Sequence, residues 1–389
     1  MADHRITGLL ATNIFLSGAA FAAMTPFRAI VGVETLGLSN AQFGLVMVLN
    51  ALGGAVIAVF LGWISDKSED RRVLVLLCAV GGTLAFGLVW AVRTPIGFAT
   101  AFCLLVPFGN ALFSQSFAYS RAYYDRESPT HSSLVMSYLR SGFTVAWIIV
   151  PPLAGWFAVQ TSAYSVFGIS AAAHLGCTLV VALLWTRPGA RVGLKREVGS
   201  KGSSTGLARP RISVGHRYGA FGVALAMVAL QLNMTVLPLV IIRDLGGSLA
   251  QVGISAAVAA AIEVPFMIGW GYLALRWRKE SILTIACVVF AVYLAAMSLV
   301  ESFVQVLLLQ SLAAVAIAAL LSINISYLQE AIPGRIGLST SLVNVTTVVA
   351  AMTASVIFAA NPGLSYAPLM AVAAVLSLVG AGALLLARR

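Results

Sequence analysis

The chain is short of charge and of the residues that furnish soluble machinery. Only 10% of its 389 residues are charged and 60% are hydrophobic, against about 25% and roughly 45–50% in soluble domains. A large water-facing surface is thereby excluded. Acids are scarcest, with 13 Asp and Glu against 24 Lys and Arg. The four cysteines, Cys78, Cys103, Cys177 and Cys287, are scattered through apolar runs. That spacing excludes a disulfide framework or a cysteine metal site and leaves packing as their role. No phosphate-cradling glycine loop with Lys and Ser or Thr occurs, which removes the recognisable motif of a nucleotide-driven pump.

What the chain has is long apolar runs. A bilayer core about 30 Å thick is crossed by roughly 20 apolar residues, and runs of that length recur with short polar breaks. They predict helices near 7–33, 40–64, 72–91, 96–120, 132–158, 163–186, 217–242, 249–275, 281–300, 302–328, 336–360 and 366–387. The first has a basic start and an Ala20-Phe21-Ala22 that imitates a signal cleavage site. Its apolar run of roughly 24 residues is too long for a signal core of about 7–15, so it is read as helix 1. The expected fold class is an all-α integral membrane protein of twelve transmembrane helices.

The cations test this topology. Twenty of the 24 fall on one side: Arg5; Lys67, Arg71 and Arg72; Arg121 and Arg126; eight from Arg187 to Arg217; Arg276, Arg278 and Lys279; Arg335; Arg388 and Arg389. Arg93 and Arg243 fall on the other, and Arg28 and Arg140 lie inside helices. The positive-inside rule puts both termini in the cytoplasm and accounts for the net charge of +11 with no nucleic-acid partner.

The one long connection, Arg187 to His216, is rich in Gly, Ser and cations and contains Pro188 and Pro210. It reads as a mobile cytoplasmic linker. The expected domains are a six-helix bundle over 1–186, the linker over 187–216, and a second six-helix bundle over 217–389. An internal repeat supports the division. Ser39-Asn40-Ala41-Gln42-Phe43-Gly44 recurs as Ser248-Leu249-Ala250-Gln251-Val252-Gly253, an offset of 209 that also carries Gly62 onto Gly271.

Ionisable residues inside spans are costly, about 2.5–3.5 kcal/mol each on insertion scales, and so are functional candidates. Glu263 lies halfway along helix 8, in Glu263-Val264-Pro265. Desolvation favours an acid's neutral form, as a proton carrier requires. Arg140 lies two turns into helix 5, about 12 Å from the cytoplasmic end, with Glu263 at about 18 Å. Arg28 follows Pro26 near the outer end of helix 1 and is a candidate for substrate or gate contact. His174 in helix 6 is titratable, but its setting points to packing.

The break after helix 2 reads Gly62-Trp63-Ile64-Ser65-Asp66-Lys67-Ser68-Glu69-Asp70-Arg71-Arg72. It resembles the loop 2–3 signature of the major facilitator superfamily, and two parallel six-helix repeats are that superfamily's architecture. A Gly permits close helix approach, while an Asp at a helix end and a basic pair can hold one conformational state. Gly62, Asp66, Arg71 and Arg72 are thus expected to gate. The second-half loop carries Leu275 where the Asp would fall, which makes an asymmetric latch.

Further strings resemble the bacterial sugar efflux transporter family. They are Ser120-Arg121-Ala122-Tyr123-Tyr124-Asp125 after helix 4; Leu139-Arg140 and Ala146-Trp147-Ile148-Ile149-Val150-Pro151-Pro152-Leu153-Ala154 in helix 5; Glu263-Val264-Pro265 with Gly271-Tyr272 in helix 8; and Tyr327-Leu328-Gln329-Glu330-Ala331-Ile332-Pro333-Gly334 after helix 10. Val150 departs from the family's usual Gly.

The resemblance implies proton-coupled export of small sugars or glycosides by alternating access. It implies a bacterial inner-membrane location, function as a monomer in the lipid bilayer, and no cofactor beyond the proton gradient. Because helices 5 and 8 face each other in that fold, an Arg140–Glu263 pair is expected, broken when Glu263 is protonated. Helices 1, 4, 7 and 10 line the superfamily's cavity, which makes Asn13, Arg28, Asn110, Gln115, Gln231, Asn233, Gln310, Asn324 and Tyr327 the candidate lining. Amides and aromatics suit a neutral polyhydroxylated solute. A multidrug exporter, a sugar importer and a non-transporting membrane sensor are the alternatives. No soluble output domain is expected after helix 12, which argues against the sensor, and nothing resembles an enzyme.

Overall fold

The structure, a computed structural model, describes residues 3–387 apart from 69, 194–213, 331–335 and 364. The side chains of Asp66, Lys67 and residues 336–340 also lie outside the described set. So does most of the expected linker, together with the 331–334 part of the string after helix 10.

All regular structure among the described residues is helical. The spans are α1 His4–Met24, α2 Asn40–Lys67, α3 Arg72–Val92, α4 Pro95–Glu127, α5 Ser132–Gln160, α6 Ser165–Trp185, α7 Val214–Asp244, α8 Leu249–Leu273, α9 Lys279–Met297, α10 Phe303–Glu330, α11 Ile336–Ala359 and α12 Ala367–Leu386. Each of the twelve holds a stretch long and apolar enough to cross a membrane.

The repeat is visible as backbone geometry. After α1 the helix breaks over 25–27, where Pro26 has no N–H to give, and resumes as a π turn, Ile30–Thr35. Leu36 closes that turn onto the Val31 carbonyl at 2.9 Å, and Gly37 follows at φ 71°. At the matching place α7 ends in a π turn, Val240–Asp244; Leu245 bonds the Val240 carbonyl at 3.0 Å, and Gly246 follows at φ 63°. Glycine suits both sites because a side chain strains the left-handed region. The next helices open with the same reciprocal cap. The Ser39 N–H donates to Gln42 Oε1 at 2.9 Å and the Gln42 N–H to Ser39 Oγ at 3.2 Å; Ser248 and Gln251 repeat this at 2.8 and 3.4 Å. Two orphan donors are satisfied at each start.

By contacts the chain forms two units. The first comprises Met1–Leu38, Leu49–Val198 and Val252–Ala257; the second comprises Ser39–Val48, Gly199–Gln251 and Val258–Arg389. In the first, α3 packs on α6 and α4, and α1 on α6 and α5. In the second, α9 packs on α12 and α10, and α7 on α12 and α11. The pairings are the same with every helix advanced by six. The four least buried spans also correspond: α2 and α5 at 28%, α8 and α11 at 22%, against 67% for α7. Those four contribute least to the packing of their bundles.

Lipid gives helices no hydrophobic reason to associate, so small residues and close backbone contact do the work. In the second unit a Cβ on Gly222 would lie 2.6 Å from the Gly380 carbonyl oxygen, and one on Gly380 would lie 2.8 Å from the Gly222 oxygen. In the first, a Cβ on Gly82 would meet the His174 ring. Overpacking of this kind costs about 1–3 kcal/mol. Gly222→Val is therefore expected to lower the thermal unfolding midpoint of the purified protein by several degrees, whereas Gly87→Val, where a Cβ meets nothing within 4 Å, leaves it unchanged. Scanning fluorimetry in detergent reads both.

Candidate functional site

Three groups of polar residues stand out; the first lies in the first unit, and the other two draw their residues from both. The first is built on the residues after α2. Arg72 opens α3 and is buried; its Nη2 lies 2.6 Å from Asp70 Oδ2, its Nη1 donates to the Leu184 carbonyl at the end of α6, and it stacks over Trp185. The Arg71 N–H donates to the Val192 carbonyl, while the Arg71 Nε is buried with no hydrogen-bond partner. The Asp66 side chain lies outside the described residues. The close-approach reason for Gly62 does not hold in this structure, since a Cβ there or at Gly271 would meet no atom within 4 Å. The helix ends at those points face open space.

The Arg71 N–H reaches a segment that composition alone describes as mobile linker. Residues 187–193 are instead folded against the first bundle. A short turn, Pro188–Ala190, buries Ala190 and Val192 in the core with Ile6, Leu74 and Leu184. Tyr119 Oη donates to the Ala190 carbonyl at 2.8 Å, and the Arg126 guanidinium donates to the carbonyls of Gly189 and Arg191. Charge and Gly/Pro content pointed to a free loop. The signals that it docks are the two apolar residues, Ala190 and Val192, spaced to face one side.

The second group is the amides. Asn13 is buried, donates to Ser116 Oγ at 2.8 Å, and keeps an Oδ1 without a partner. Asn233 is buried and accepts from Tyr293 Oη at 3.1 Å; Gln310, also buried, bonds the same tyrosine. Asn324 is buried against Met227 Sδ, and Tyr327 is buried with its hydroxyl over Gly219. Asn13, Asn233, Gln310 and Asn324 thus bond across helices, while the Oδ1 of Asn324, like that of Asn13, is buried without a partner. Asn110, Gln115 and Gln231 are half-buried. Asn50 in α2 is half-buried with its Oδ1 unpartnered; a lone Asn within an apolar helix was the available signal for it.

The third group is the in-span charges. Arg28 follows the Pro26 break, half-buried, with its Nε buried and unpartnered. Among the described residues, Arg140 in α5 is exposed on its bundle with no carboxylate partner there, and Glu263 in α8 is half-buried with no cationic partner within its own unit. His174 is packed between Gly82, Gly109 and Phe86, with Nδ1 2.8 Å from the Ser170 carbonyl. Sequence reasoning also passed over Asp244. Its Oδ2 accepts from the N–H groups of Tyr366 and Ala367 at the start of α12.

Twelve apolar spans in two bundles that pair their helices alike, with ionisable residues inside the spans, define a polytopic membrane transporter. The family model of the Major Facilitator Superfamily matches residues 10–214, and the chain belongs to that superfamily. It is 29% identical to Sugar efflux transporter C of Escherichia coli (strain K12), covering 84% of this chain and 82% of that protein. It is 26% identical to the multidrug resistance protein MdtG of Klebsiella pneumoniae (strain 342), covering 79% and 74%. A crystal structure of a mutant of the nucleoside transporter NupG shares the fold, with a TM-score of 0.82 at 13% identity over 99% of this chain and 100% of that one.

The Arg72–Asp70 pair, with side chains 5% and 15% exposed, contrasts with Arg121–Asp125 at 73% and 55%. Breaking a buried pair costs about 3–5 kcal/mol, and an exposed one less than about 1 kcal/mol. Arg72→Ala is expected to unfold at much lower denaturant than wild type, while Arg121→Ala stays close to it; equilibrium unfolding in mixed micelles measures the difference.

Proposed function

We propose that the chain is a proton-coupled exporter of small sugars or glycosides, working by alternating access as a monomer in a bacterial inner membrane with both termini in the cytoplasm. The observation that carries this reading is similarity over most of the chain to a sugar efflux transporter. The residues are consistent with it. Asn110 and Gln115 of the first bundle and Gln231 of the second are half-buried and outside the described hydrogen-bond networks, so their amides are available to hydroxyl groups. Such groups select strongly for a solute that completes their hydrogen bonds, because a solute lacking them leaves a buried polar atom unpaired.

In this scheme Glu263 carries the coupled proton and Arg140 supplies the opposing charge. A carboxylate in an apolar span is stabilised by losing its charge, so proton binding and release have a natural place there. Gly62, Asp66, Arg71 and Arg72 form the gating loop. Arg28 is assigned to the solute path on its unpartnered Nε. The similarity to MdtG favours a multidrug exporter as the second reading; it predicts transport of lipophilic cations rather than polyols.

Two measurements in proteoliposomes separate these readings. Counterflow of radiolabelled mono- and disaccharides is expected, with no movement of cationic dyes; dye movement without sugar exchange would reject the sugar reading. Glu263→Gln is expected to keep sugar exchange within a few-fold of wild type while losing uphill movement driven by an imposed proton gradient. Undiminished uphill movement in that variant would remove Glu263 from the coupling.

A further inference from the structure

A groove of about 340 Å³ lies on the first bundle, where the start of α1 meets the end of α6. Its rim carries three basic side chains: His4 and Arg5 from the first turn of α1, and Arg187 just beyond α6. Leu9 and Leu183 supply its apolar lining, with Gly8 and Thr186 beside them. Among the described residues no carboxylate pairs with Arg5 or Arg187. The nearby acid, Asp3, is used as the cap of α1, accepting the Arg5 N–H. The rim is a local excess of positive charge at the end of two spans.

What lies below the rim decides the ligand. Leu175, Leu179 and Leu183 are exposed at 47%, 58% and 54%. Spaced four apart, they form one stripe on α6, running from within the span up to the groove. Trp185, 42% exposed, stands at the same helix end, where amphipathic rings settle at headgroup depth. An inorganic anion has no use for an apolar track. A diacyl phospholipid has: its phosphate would meet the cations while one acyl chain follows the leucines.

We propose that this groove binds an anionic phospholipid, phosphatidylglycerol in kind, with its phosphodiester held by Arg5 and Arg187 and an acyl chain along Leu183, Leu179 and Leu175. Guanidinium groups suit the role because their planar fork gives two donors to one phosphate. His4 adds a third donor at the rim. Arg187 is also the first residue of the docked segment whose Val192 carbonyl accepts from Arg71, so a lipid seated here steadies the chain that reaches the loop after α2.

Native mass spectrometry of the full protein released from nanodiscs tests the site. Wild type is expected to retain one phosphatidylglycerol per chain in preference to phosphatidylcholine, and millimolar inorganic phosphate is expected not to displace it. Arg5→Gln/Arg187→Gln is expected to lose about tenfold or more in that preference, given the loss of both charge-assisted bonds, while Arg276→Gln/Arg278→Gln keeps it. Equal retention by wild type and the Arg5/Arg187 variant would overturn the proposal, and full displacement by phosphate would make this a free-anion site. A photoactivatable phosphatidylglycerol, labelled in its acyl chain and applied to wild type, checks the same claim without a mutation. Adducts are expected to concentrate on the peptide spanning 175–187; an even spread over the lipid-facing helices would overturn the proposal.

Discussion

Hydrocarbon offers no water to a backbone amide or carbonyl, so each group within the spans must find its partner nearby. That constraint organises the structure. α5 runs through Pro151 and Pro152, α7 through Pro238 and α8 through Pro265 without leaving helix. Where a helix does break, at Pro26, a π turn closes the gap within a few residues. The recurrence of that turn, its left-handed glycine and the following Ser/Gln cap at one offset makes duplication visible as hydrogen bonding rather than as residue identity.

Polar side chains in the spans serve two purposes, and they divide by burial. Asn13 with Ser116, and Tyr293 with Asn233 and Gln310, join helices of one bundle. Interhelical bonds of this type contribute about 0.6 kcal/mol on average, enough to fix register without freezing a bundle. Asn110, Gln115, Gln231, Arg28 and Glu263 are only half-buried. A transporter needs both kinds, because rigid bundles must carry polar groups that remain free to exchange partners with a solute or a proton.

The fold was largely legible in the sequence because its signals are long and additive. Twenty apolar residues in a row survive any local exception, and the 39–44 and 248–253 strings carry the repeat in the residues themselves. The site was less legible. Period and composition do not distinguish Asn233, whose amide meets Tyr293, from Gln231 two residues away, because that choice depends on which face of α7 meets α9 and α12. Residues 187–193 were misjudged for a related reason: high charge and Pro188 describe the surface of a segment, whereas docking rests on two small apolar side chains and on carbonyls that Tyr119 and Arg126 reach from α4. At Gly62 the residue type suggests close helix approach, whereas a Cβ there would meet no atom within 4 Å.

The central claim is that a proton gradient drives sugar outward through this chain. Everted membrane vesicles from cells expressing it reverse the geometry, so that export becomes uptake. Acidifying the vesicle interior should drive accumulation of a radiolabelled sugar above its external concentration, and a protonophore should abolish that accumulation. Sugar that merely equilibrates, or accumulation that persists when the gradient is collapsed, would contradict the account.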